Sequence, residues 1–119
     1  MRVEEIMMAP VMVTQRNVTI ENLKSRMTRK GVNALPVLEE DGTITGIVSS
    51  SDLAACTNDT LLVQDIMSTR VHIVLKNNQV KDAANIMVKN GVHHLVVMED
   101  GNVVGMVSSM DIVKVFAES

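Results

Sequence analysis

The chain is written twice. Val3-Glu4-Glu5-Ile6-Met7 returns sixty residues on as Val63-Gln64-Asp65-Ile66-Met67, and at the same offset Val11 meets Val71, Asn17 meets Asn77, Ile20 meets Val80 and Met27 meets Met87. Gly31-Val32-Asn33-Ala34-Leu35-Pro36-Val37 meets Gly91-Val92-His93-His94-Leu95-Val96-Val97. The second copy is one residue shorter in its turn, so that Gly46-Ile47-Val48-Ser49-Ser50-Ser51-Asp52 aligns with Gly105-Met106-Val107-Ser108-Ser109-Met110-Asp111. A stacked array needs at least three copies, so this is one duplicated unit, with repeats at 1–58 and 59–119. A chain of about 60 residues buries too little surface to be secure alone, which gives the two a reason to pack.

Within each repeat the hydrophobic period changes in a readable order. Val11-Met12-Val13 is a short extended piece. Thr19 is a helix cap flanked by a Val18–Leu23 hydrophobic staple, Ile20, Leu23 and Met27 share a helical face, and Gly31 is a left-handed stop. Ala34–Leu38 and Thr43–Val48 read as paired strands around the turn Glu39–Gly42, and a second helix begins at Asp52. In the second repeat Val80, Ala83, Ala84 and Met87 give the helical face and Gly91 the stop. Leu95–Met98 and Val103–Val107 give the strands, and Asp111–Phe116 the closing helix. The order is strand, helix, strand, strand, helix, an α+β class.

The two Gly-x-x-Ser-x-x-Asp endings carry the chemistry. Gly46 and Gly105 have no β-carbon, so a ligand or another stretch of backbone can come close. Ser49 and Ser108 precede a helix start, where free N–H groups and the helix dipole favour a phosphate. Asp52 and Asp111 accept hydrogen bonds only, and two carboxylate oxygens match the vicinal hydroxyls of a ribose. The competing reading is structural: Ser-x-x-Asp is also a capping box.

Taken together these residues resemble the cystathionine beta-synthase (CBS) domain pair, or Bateman module. The resemblance rests on Ile6-Met7 and Ile66-Met67, on the Gly31–Val37 and Gly91–Val97 stretches, and on both Gly-x-x-Ser-x-x-Asp endings, and it covers nearly the whole chain. It implies tandem CBS repeats packed with pseudo-twofold symmetry and two clefts between them. It also implies a flat homodimer of four repeats and a regulatory role in binding adenosine derivatives such as AMP, ADP, ATP or S-adenosylmethionine, with AMP or ATP foremost. One cleft would take Ser108, Asp111, His93 and His94 from the second repeat with Thr14, Asn33 and Ala34 from the first. The other would take Ser49 and Asp52 with Thr69 and Arg70. Ala9 and Met110 depart from the pattern, Ala9 standing where some nucleotide-binding members carry a hydroxyl and Met110 interrupting a second one. Because His93-His94 replaces Asn33-Ala34 and Lys114 lies one turn beyond Asp111, the Asp111 cleft is expected to be the better phosphate site. Its affinity should fall as pH rises through neutrality.

Composition excludes several other classes. Aromatic content is 1%, with no Trp or Tyr, so the chain has no stacking platform for single-stranded nucleic acid. Net charge is −3 without a basic run, which argues against a polyanion groove or a membrane-surface patch. No apolar run approaches a membrane span, the start puts Glu4 and Glu5 where a signal peptide wants cations, and a lone Cys56 fits a reducing compartment, so a cytoplasmic location is expected. His93 and His94 are neighbours on a predicted strand and point to opposite faces, so no metal ligand set is expected. Serines, Cys56 and histidines show no nucleophile elbow, so no enzyme is expected. The alternative to a ligand-binding regulator is a structural or dimerisation protein with degenerate clefts. In either case the expected partner is a second copy or a separate regulated chain.

Overall fold

A computed structural model describes all 119 residues. After a 3-10 turn at Val3–Glu5 come α1 (Ile20–Lys30), β1 (Ala34–Leu38), β2 (Ile44–Ser49), α2 (Ser50–Ala55) and α3 (Val63–Ile66). Then follow β3 (Ile73–Leu75), α4 (Val80–Asn90), β4 (His94–Glu99), β5 (Asn102–Ser108) and α5 (Ser109–Ala117). The class is mixed α+β, with two repeats of one plan. The compact bodies, however, are not the repeats taken whole. One comprises Met12–Val71, the other His72–Ser119 together with Met1–Val11.

The exchanged segments show why. Val3 is fully buried in the core built by Val74, Ala83, Leu95, Val97 and Val107, and its N–H donates to the Asn78 carbonyl at 2.9 Å. Val63 is fully buried among Ile20, Leu23, Leu35, Val37 and Val48, and its N–H donates to the Val18 carbonyl at 2.9 Å. Each repeat therefore lends its opening segment to the other body. A buried valine is worth roughly 1.5–3 kcal/mol, so each loan is a large share of a small core.

The helices begin and end for local reasons. Thr19 Oγ1 accepts from the Asn22 N–H at 3.3 Å, Glu21 sits in the first turn, and Arg29 and Lys30 in the last. Gly31 closes α1 and Gly91 closes α4 in the left-handed region, both at φ 64, where a side chain would be strained. In the 12–71 body β1 and β2 form an antiparallel pair, and the expected extended piece at Val11–Val13 is reduced to a single parallel bridge, Thr14 to Val37. In the other body the same place holds a true strand, β3, parallel to β4 with Val74 opposite Val97. β4 and β5 are joined by Asp100-Gly101, both at positive φ, which suits a two-residue hairpin.

Candidate functional site

The two glycines of the repeated endings are explained from within each body. A Cβ on Gly105 would stand 2.7 Å from Met7 Sδ and 2.9 Å from the Met8 carbonyl oxygen. A Cβ on Gly46 would stand 2.8 Å from Met67 Sδ and 2.9 Å from the Ser68 carbonyl oxygen. Of the two reasons the sequence offers for glycine here, close approach of backbone is the one realised. Met8 and Met106 exchange two backbone hydrogen bonds, as do Ile47 and Ser68, so the lent segment lies along the strand that carries the glycine.

At the ends of β2 and β5 both capping boxes form. Asp111 Oδ2 accepts from the Ser108 N–H at 2.8 Å, and the Asp111 N–H donates to Ser108 Oγ at 3.1 Å. Asp52 Oδ2 accepts from the Ser49 N–H at 2.8 Å and from Ser49 Oγ at 3.0 Å. These bonds start the helices at Ser50 and Ser109, ahead of the positions read from the sequence, because the serine is the cap and the aspartate the third helical residue. Each carboxylate spends only Oδ2 on its cap. Oδ1 of both is left without a protein partner, and both side chains are half-buried.

The remaining site residues sort by body. His94 stands opposite Ser108 in the β4–β5 register, and the His93 carbonyl accepts from the Ser109 N–H at 2.8 Å, so His93, His94, Ser108 and Asp111 lie together. His93 precedes β4 rather than lying in it. Ala34 stands opposite Ser49, and the Asn33 carbonyl accepts from the Ser50 N–H at 2.8 Å, which gathers Asn33, Ala34, Ser49 and Asp52. Thr69 and Arg70 are exposed just beyond the Ile47–Ser68 bridge, with the Arg70 N–H donating to Ser68 Oγ at 3.2 Å. Thr14 is fully buried and its Oγ1 has no partner, although a buried unpaired hydroxyl costs about 1–3 kcal/mol.

Burial pushes His94 below the ordinary histidine value of 6.5, with His93 adding to the shift and Asp111 opposing it. In the free protein burial therefore favours the neutral form of His94. Asp111 also lines a cavity of about 620 Å³ with Glu5, Ile6, Lys114, Val115 and Glu118. Glu5 and Glu118 were not singled out by the sequence reading, though the repeated Ile6-Met7 motif pointed to that segment. Met1 and Ser119 complete the lining of this cavity, so that acidic and basic groups both face it. In the 12–71 body Asn33, Ser50, Leu53 and Cys56 line a cavity of about 470 Å³. No three His, Cys, Asp or Glu side chains gather as a metal-ligand group, and no helix is long and apolar enough to cross a membrane.

Comparison with known proteins adds the following. The CBS domain family matches the chain twice, over residues 3–57 and 63–118. Two curated proteins of Methanocaldococcus jannaschii, MJ1225 and MJ0188, are 25% and 30% identical over 94% and 95% of this chain. The chain spans only 41% and 43% of their lengths. The solved CBS domain pair of protein MJ0100, in complex with 5′-methylthioadenosine and S-adenosyl-L-methionine, superimposes with a TM-score of 0.92. It is 28% identical, with 99% of this chain and 97% of that one covered.

Proposed function

This chain belongs to the CBS domain family, and from that premise we propose that it is a regulatory module that binds an adenosine-containing ligand, with Asp111 and Asp52 as acceptors for ribose hydroxyls. The observation that carries the reading is the unspent Oδ1 on each capping-box aspartate, in a fold 28% identical to a pair solved with two adenosine derivatives. The capping reading and the ligand reading are then compatible, since each uses a different oxygen. Thr14 adds an orphan hydroxyl, and Ser108, His93 and His94 in one body and Asn33, Ala34, Ser49, Thr69 and Arg70 in the other supply the remaining candidate contacts. Glu5, Asp111 and Glu118 share the cavity with Lys114 and Met1, a mixed set of charges beside the proposed ribose acceptor. Regulation would follow from population shift, if the ligand binds one arrangement of the chain better than another.

A second reading is favoured by one specific observation. Met110, Val113 and Phe116 are exposed along α5 at 59%, 54% and 73%, an apolar face suited to a second copy or a separate regulated protein. Thermal-shift screening with 5′-methylthioadenosine, S-adenosylmethionine, AMP and ATP separates the two. A ligand at a hundred times its Kd stabilises by about 2.7 kcal/mol, which raises the melting temperature by several degrees. No shift with any of the four favours the ligand-free interaction protein.

A further inference from the structure

Several cations of this acidic chain are held by acids: Arg2 by Glu4, Arg16 by Glu39, Lys24 by Asp59, and Lys76 by Glu4 and Glu99. Arg26, Arg29 and Lys30 are not. They share the last turns of α1, have no carboxylate within ion-pair distance, and with Met12 line a concavity of about 260 Å³ that no acidic residue enters. Arg26 Nη2 donates to the Val13 carbonyl at 3.1 Å, which fixes the guanidinium and leaves its other donors free.

Complementing the helix dipole does not require three cations. The C-terminal end of a helix carries about half a negative charge. In the repeated helix α4 the matching positions hold Ile86, Lys89 and Asn90, and that helix ends with one cation at those positions. The excess on α1 outweighs the dipole and stands where an anion would meet converging donors. Size limits the occupant. Enclosing a drug-sized ligand takes about 300–1,000 Å³, whereas a water takes about 30 Å³, so 260 Å³ suits a partly hydrated phosphate or diphosphate and not a nucleoside.

We propose that the Arg26–Arg29–Lys30 pocket is a binding site for a small phosphate-type oxyanion, either free or as the phosphate group of a larger molecule. This site shares no residue with the adenosine site proposed above and does not depend on it.

The test is calorimetric titration of inorganic pyrophosphate into the full chain at low ionic strength, with an Arg29→Ala/Lys30→Ala variant and a Lys89→Ala control. Both variant positions on α1 are exposed, so the fold should be kept, and far-ultraviolet circular dichroism checks it. The expected result is sub-millimolar binding that weakens roughly tenfold or more in the double variant, is unchanged in the control, and falls as salt rises. If ATP also weakens in the double variant while 5′-methylthioadenosine does not, the phosphate arrives on a nucleotide; if ATP is unaffected, the oxyanion is free. No pyrophosphate binding at millimolar concentration, or equal affinity in wild type and double variant, overturns the proposal. Displacement of pyrophosphate by uncharged 5′-methylthioadenosine overturns it as well, since the anion would then occupy the nucleoside site.

Discussion

In the 12–71 body the helix carrying Asp52 spans six residues and follows Asn33-Ala34. In the body of residues 72–119 the helix carrying Asp111 spans nine and follows His93-His94. Around that difference much is held constant: the Ser-x-x-Asp caps, the left-handed glycines at φ 64, the glycines against Met7 and Met67, and the lent Val3 and Val63. The shared features are those that build a body. Those that differ cannot be needed for the plan, because the plan forms without them in the other copy. Thr14 in place of Val74, Ala34 in place of His94, and Arg26 and Lys30 in place of Ile86 and Asn90 are therefore where binding differences should reside.

The largest effect tests the lending of segments. A fragment 12–71 keeps Val63 and the Ile47–Ser68 bridge, whereas a fragment 1–58 of nearly equal length loses both. The first should melt more cooperatively than the second by circular dichroism; equal behaviour would mean that the sequence repeat is also the folding unit. Next come the glycines. Gly46→Ala and Gly105→Ala each force a Cβ against a carbonyl oxygen at 2.9 Å, and each should cost about 1–3 kcal/mol in denaturant unfolding. A cost confined to one body would break the equivalence of the two.

Smaller effects sharpen the contrast. Thr14→Val removes the orphan hydroxyl and should stabilise the ligand-free chain by about 1 kcal/mol, while Val74→Thr in the other body should destabilise it by about 1–3 kcal/mol. Matching losses from both would show that Thr14 is satisfied after all. Smallest is the titration of His94. Its folded pKa lies below its unfolded value, so the unfolded chain takes up the proton first. Stability from this group is complete above pH 6.5 and is lost as pH falls through the folded pKa. His94→Gln should flatten that acid-side slope, and an unchanged slope would remove the role given to burial.

The sequence made the architecture legible because duplication tested every assignment twice: the Thr19 cap, the stops at Gly31 and Gly91, and the strands through Leu35 and Leu95 could be read from either copy. The exchange of opening segments was not legible, since Val3 and Val63 look alike in periodicity and nothing local says whose core each enters. The glycines before the caps could be seen to invite a close neighbour, but not which, as Met7 and Met67 lie far off along the chain. At the site, Ser108–Asp111 was visible as a motif. The partner of each oxygen was not, because capping and ribose binding ask for the same two residues. Glu5 and Glu118 escaped notice because their nearness to Asp111 arises from tertiary packing alone. Arg26, Arg29 and Lys30 look like an ordinary basic helix end until the absence of acids around them is seen.

The central claim is that Asp111 gives one carboxylate oxygen to its own helix and the other to a ligand. It is tested most directly by calorimetric titration of 5′-methylthioadenosine into wild type, Asp111→Ala and Ser108→Ala. The second variant removes the cap hydroxyl and keeps the carboxylate. Losing a charged acceptor costs roughly 1.5–3 kcal/mol, so Asp111→Ala should weaken binding by about 10- to 100-fold, while Ser108→Ala, which gives up one neutral contact worth about 0.5–1.5 kcal/mol, weakens it by about tenfold at most. Equal affinities for wild type and Asp111→Ala would contradict the account, leaving the aspartate as a helix cap and nothing more.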